Sequence, residues 1–136
     1  MRKIPHFIFV VATIFILFSC SEKETPIGKW DDIIELSTKN ITFDASEDSV
    51  TINTKGDWWW VTNISVNNKI FNVPDDINVE TYNYSIQLDC FLVERRDKNT
   101  LFIKVDENPL NIQRIIWVGL EAGNYFDGVS ITQLPK

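Results

Sequence analysis

Three consecutive tryptophans, Trp58-Trp59-Trp60, carry the clearest chemical signal in the chain. Flat aromatic faces with a negative quadrupole suit the CH faces of sugar rings, and indoles are also frequent anchors of protein interfaces. On a strand, successive side chains point to opposite faces, so the three cannot all face the same way. Trp58 and Trp60 fall in phase with Ile64 and Val66 and are assigned to the core. Trp59 then points outward, unless a bulge near Gly56 shifts the phase. Trp117 lies between Ile116 and Val118 and points outward by the same alternation, while Tyr125-Phe126 form an aromatic pair beside Gly123-Asn124. Trp59, Trp117 and Tyr125 are therefore the candidate ligand-binding residues. The competing explanation is structural: cross-strand packing for the indoles, and for Tyr125-Phe126 a plug over the end of the fold.

Catalytic chemistry finds little to work with. The single histidine of the chain is His6, so the remainder can build neither a Ser-His-Asp or Cys-His nucleophile nor a His-ligated metal site. The adjacent acids Asp31-Asp32, Asp75-Asp76 and Asp106-Glu107 do not have the spacing of a dedicated calcium loop. Nor do they define the paired carboxylates that glycoside hydrolysis requires. No enzyme activity, metal or cofactor is expected. The 136 residues carry 13 basic and 19 acidic side chains, net −6, and the one basic cluster, Arg95-Arg96 with Lys98, is flanked by Glu94 and Asp97. A polyanion would be repelled by such a surface, so nucleic acid is not an expected partner.

The N-terminus supplies a different chemistry. Met1-Arg2-Lys3 precedes an apolar run from Phe7 to Phe18 broken only by Thr13, and Ser19-Cys20 follows. A positive start, a short apolar stretch and a small residue before the cut are the parts of an export signal, and this run is too short to span a bilayer of roughly 30 Å. Leu17-Phe18-Ser19-Cys20 resembles a bacterial lipobox, which predicts lipidation of Cys20 and a membrane as partner through that anchor. Residues 1–19 then form the signal, 20–30 the lipidated cysteine and a polar tether, and 31–136 one domain. With Cys20 lipidated, Cys90 has no intrachain partner and is expected to be a buried, inert thiol.

The elements that must position these residues read as strands. Val50 and Ile52, Ile64 and Val66, Tyr84 to Leu92, Leu101 to Val105, Ile116 to Leu120, and Val129 and Ile131 all alternate with polar residues. Turn signals separate them, among them Lys55-Gly56-Asp57, Asp97-Lys98-Asn99 and Asp127-Gly128. The pattern predicts an all-β, antiparallel sandwich of about seven or eight strands. Asn67 to Thr81 breaks the rhythm and reads as a long loop.

Val50-Thr51-Ile52 followed by Lys55-Gly56-Asp57-Trp58 resembles the strand, turn and buried tryptophan of the BACON family. The C-terminal third adds Val105-Asp106-Glu107-Asn108, Arg114, the alternation Ile116, Val118, Leu120, then Gly123 and a closing Val129-Ser130-Ile131-Thr132-Gln133. The resemblance implies an immunoglobulin-like sandwich of the kind named for its association with carbohydrate binding, with Asn108 and Arg114 in architectural roles. The acidic stretch after Cys20 is similar to the surface-export signal of Bacteroidetes-type lipoproteins. The expected function is a non-catalytic cell-surface module at the outer membrane that binds glycan or assists a partner that does. The alternative is a structural or protein-interaction lipoprotein, a spacer or subunit of an envelope complex.

Overall fold

A computed structural model describes Trp30–Lys136. The expected signal of residues 1–19, the lipidation at Cys20 and the tether before Trp30 lie outside the described residues. Among the described residues nine strands form: β1 (Asn40–Phe43), β2 (Asp48–Asn53), β3 (Trp60–Val66), β4 (Lys69–Asn72), β5 (Tyr84–Leu88), β6 (Phe91–Arg96), β7 (Thr100–Val105), β8 (Arg114–Ala122) and β9 (Tyr125–Gln133). They make a five-stranded sheet in the order β1-β9-β8-β3-β4 and a four-stranded sheet in the order β2-β7-β6-β5. The alternating apolar residues of both sheets meet in one core that includes Ile52, Ile64, Ile86, Val93, Ile103, Val118 and Ile131. The fold is all-β and sandwich-like, as the alternation predicts.

Three details differ from the sequence reading. Among the described residues the strands are nine, because the segment Asn67 to Thr81 contains β4, which pairs antiparallel with β3, and because the run from Tyr84 divides into β5 and β6. Asn67 and Asn68 join them with φ of 47° and 68°, the left-handed pair that a two-residue type I′ hairpin turn requires. Asparagine tolerates that conformation better than other non-glycine residues, because its short amide hydrogen-bonds locally. The Asn67 Oδ1 also reaches across to β8, where it accepts the N–H of Ile115 at 2.8 Å. The apolar run Tyr84 to Leu92 is a hairpin rather than one strand, with Asp89-Cys90 at its turn, so Cys90 is half-buried instead of enclosed. Burial still raises its thiol pKa, which favours the protonated form. The sandwich is also not purely antiparallel, since β1 runs parallel to β9, pairing Ile41 with Ile131. Period-two alternation shows which face a residue takes but carries no information about the direction of its neighbour.

Asn108 and Arg114 take the architectural positions expected of them. Asn108 is fully buried, and its Nδ2 donates to the carbonyls of Ile112 (2.9 Å) and Leu134 (3.1 Å). The Arg114 guanidinium donates to the Asp106 carbonyl and to Gln133 Oε1, and Gln133 Nε2 in turn serves the carbonyls of Ser46 and Asp106. These three polar side chains satisfy the loop carbonyls that cross this end of the sandwich, groups that would be costly to bury without donors.

Candidate functional site

The tryptophan triplet is organised in the opposite sense to the simple alternation. Trp59 is 1% exposed, whereas Trp58 is 64% exposed. The cause is a bulge in β3. Val61 pairs with Leu120 and Asn63 with Gly119, so Thr62 is the extra residue. Downstream of it, Ile64 and Val66 face inward as expected. Upstream the phase is reversed: Val61 faces inward, Trp60 faces outward opposite Glu121, and Trp59 enters the core. The expected outward placement of Trp59, and with it an exposed ligand platform there, is thereby corrected, as is the core placement of both Trp58 and Trp60.

Trp59 is held from several directions. Its Nε1 donates to Thr54 Oγ1 at 3.0 Å and to the Gly56 carbonyl at 3.1 Å. The Arg95 guanidinium stacks over its ring at 4.2 Å from the centroid. Arg95, 3% exposed, donates to the backbone carbonyls of Trp59, Asp57 (2.5 Å) and Lys98 (2.9 Å). Its other ring contact is Tyr82, 5.0 Å away. Burial pulls the Arg95 pKa below its ordinary value, with Tyr84, Tyr82 and Asp57 opposing the shift, and the group stays a cation at any physiological pH. The sequence shows Arg95 only as part of a charged cluster. That its side chain lies inward follows from its phase with Phe91 and Val93 on β6, a signal present in the sequence and masked by its charge.

Trp58 thus stands at the surface, its ring edge-to-face with Trp60 at 5.6 Å between centroids and 77° between planes. It is shared by two depressions. One, of about 300 Å³, is walled by Asp57, Trp58, Trp60, Glu80, Tyr82 and Arg95. The other, of about 400 Å³, is bounded by Trp30, Ile33, Trp58, Gly123, Asn124 and Tyr125. Gly123 makes this possible: its φ is +62°, and a Cβ there would stand 3.1 Å from Cζ3 of Trp58. The glycine both closes the β8–β9 hairpin and lets the indole lie against it. A larger depression of about 550 Å³ lies around Glu35, Ser37, Asn53 and Lys55, and carries no aromatic ring.

Tyr125, one of the sequence-predicted residues, joins this aromatic end. Its hydroxyl lies 3.3 Å from Asp127 Oδ2, and Lys39 Nζ bridges Asp127 (2.7 Å) and Asp32 (3.0 Å) beside it. Burial, then the two carboxylates, raise the Tyr125 hydroxyl to about 12, while the Asp127 and Asp32 contacts hold Lys39 firmly protonated. Trp117 is not part of this end. It points outward as expected, 40% exposed, on the far side of the five-stranded sheet from the core. The structure brings Tyr125 together with Trp58, which the alternation assigned to the core, and with Trp30, which it did not single out, and leaves Trp117 apart from them. Among the described residues, no group of three or more His, Cys, Asp or Glu is placed to hold a metal ion.

No family model and no curated protein sequence matches the chain. A solved structure does: an NMR structure of a protein from Bacteroides thetaiotaomicron is similar over 82% of this chain and 95% of its own length, with a TM-score of 0.63 and 18% sequence identity. At that identity the likeness is one of fold: an all-β, sandwich-like architecture common to both chains.

Proposed function

We propose that this protein is a non-catalytic, lipid-anchored envelope module that binds glycan at the aromatic end centred on Trp58. The observation that carries the reading is the exposure of Trp58 between two aromatic-walled depressions. Leaving a large apolar side chain in water forgoes roughly 1.5–3 kcal/mol of burial. Sugar-binding surfaces make that use of indoles, pairing ring faces with nearby carboxylates and amides that accept and donate hydrogen bonds to hydroxyls. Asp57, Glu80 and Asn124 stand at the two depressions in that relation to Trp58, Trp60, Tyr82 and Tyr125. The resemblance to the BACON family, in the residues quoted above, supports both the immunoglobulin-like classification and the carbohydrate association. The rival role, an envelope-protein partner anchored by the same indoles, differs in what it would capture.

The test is retention of the full chain, purified in detergent, on immobilised polysaccharides, with Trp58→Ala beside it. Binding lost in Trp58→Ala at unchanged thermal midpoint supports the reading, and equal retention of both proteins contradicts it. The anchor is tested separately. Cys20→Ala should leave an unprocessed or mislocalised precursor, read by fractionation and mass. A mature-sized, membrane-bound product from that variant would remove lipidation from the account.

A further inference from the structure

Trp117 and the sheet around it remain outside the aromatic end, and the two outer faces of the molecule differ in kind. On the four-stranded sheet the outward positions include Lys104, Glu94 and Arg96, engaged in ion pairs at 3.0 Å with Glu47 and at 2.6 Å between Arg96 and Glu94. On the five-stranded sheet, the register places Asn63, Ser65, Ser130, Thr132 and Asn40 outward around Trp117, with the exposed apolar side chains of Ile70 and Ile115 among them and Phe126 opposite Glu121. Glu121 is the one charged side chain at an outward strand position of that face. In a chain of net charge −6, a sheet face of amides, hydroxyls and exposed apolar side chains with a single charge is a departure from the rest of the surface.

The indole of Trp117 lies down on this face. Its cross-strand partner is Ser130, and two residues along β9 stands Gly128, where a Cβ would come within 2.4 Å of Trp117 Cζ2. Glycine at that position is what allows the ring to lie across β9, so one indole face meets the sheet and the other meets water. The neighbouring outward position, Gly119, is covered the same way by the amide of Asn63, 2.7 Å from where a Cβ would be. Four residues along β8 from Trp117 is Glu121, the register partner of Trp60. At about 3.3 Å per residue, this places the Trp117 platform about 13 Å along the strand from the Trp58–Trp60 pair. That span suits several linked sugar rings and is too long for one.

We propose that the glycan site continues from the aromatic end along the outer face of β8 to Trp117, and that its ligand is an uncharged polysaccharide chain. The inference rests on the glycan-binding reading and adds the extent of the site and the class of ligand. Amides and hydroxyls exchange hydrogen bonds with sugar hydroxyls without the desolvation cost of an ion, and an acidic polysaccharide would meet a negatively charged protein. A flat indole at each end of the run fixes a linear chain at two points, where a single sugar could engage one.

The experiment measures affinity of the full chain in detergent for soluble neutral polymers (mannan, laminarin and xyloglucan), for short oligosaccharides cut from them, and for polygalacturonate. It does so for wild type, Trp117→Ala and Trp58→Ala. Trp117→Gln serves as a second variant, removing the aromatic face while keeping a polar side chain suited to this surface. The expected result is an approximately tenfold loss of neutral-polymer affinity in both Trp117 variants, the scale of one aromatic contact, with short-oligosaccharide binding retained. Trp58→Ala should weaken both. Unchanged polymer affinity in the Trp117 variants, with binding lost in Trp58→Ala, would overturn the extended site and leave the aromatic-end reading standing. Preference for polygalacturonate would overturn the ligand class. Failure of wild type to bind any of these carbohydrates would sink both readings together.

Discussion

Adjacent residues Trp58 and Trp59 have the same side chain and different work. Trp59 is enclosed, its indole N–H shared between Thr54 and Gly56 and its face covered by Arg95. Trp59→Ala removes a large buried ring and also uncovers the Arg95 cation, so a loss of about 3–5 kcal/mol is expected by chemical denaturation. Trp58→Ala takes away a ring that is mostly in water and should cost less than about 1 kcal/mol by the same measurement. Equal losses in the two variants would mean that the bulge at Thr62 does not set the phase described here. Arg95 shows why charge is a poor guide to exposure. Its guanidinium is buried because it supplies donors to carbonyls from three separate loop positions, Asp57, Trp59 and Lys98.

At the scale of strands, alternation carried most of the fold. The inward residues of β2, β7, β8 and β9 could be named from period two alone, because each strand buries one face and exposes the other. What alternation could not supply is the extra residue at Thr62, which reverses the phase for everything upstream in β3. For the candidate site, that one residue exchanged the roles of Trp58 and Trp59, while Trp117 on the regular strand β8 was placed outward from the start. The β3–β4 hairpin had a readable signal in Asn67-Asn68, but β4 is four residues with a polar residue at each end and too brief to announce itself. The turn itself is testable. Asn68, at φ of 68°, should tolerate glycine with little change in denaturation midpoint, whereas Asn68→Ala should destabilise by about 1 kcal/mol. Similar midpoints for the two variants would show that the left-handed turn is not what fixes β4 to the sheet.

Over the whole molecule, the two outer faces and the aromatic end divide the surface into regions of distinct chemistry. Ion pairs occupy the four-stranded sheet, amides and hydroxyls interleaved with exposed apolar side chains the five-stranded one, and exposed rings gather where the β8–β9 hairpin meets the segment leading into β3. The core is otherwise apolar, and its few buried polar groups (Thr54, Arg95, Asn108, Arg114 and Gln133) satisfy loop backbone at the ends of the sandwich. Trp60 is carried by β3, while Trp58 and Tyr82 lie outside the strands and pack against Gly123 and the buried Arg95, contacts made without a bound partner that lower the entropic cost of binding.

The most direct test of a glycan site at the Trp58 end reads all five tryptophans at once. Each indole N–H gives its own cross-peak in a proton–nitrogen NMR spectrum of the full chain in detergent. The titrant is the oligosaccharide best retained in the binding screen. With a glycan bound at this end, the Trp58 and Trp60 indole signals should shift with a common saturation curve, while the signal of Trp59, enclosed behind them, stays nearly still. Shifts confined to Trp59, or saturable binding that moves neither Trp58 nor Trp60, would contradict it.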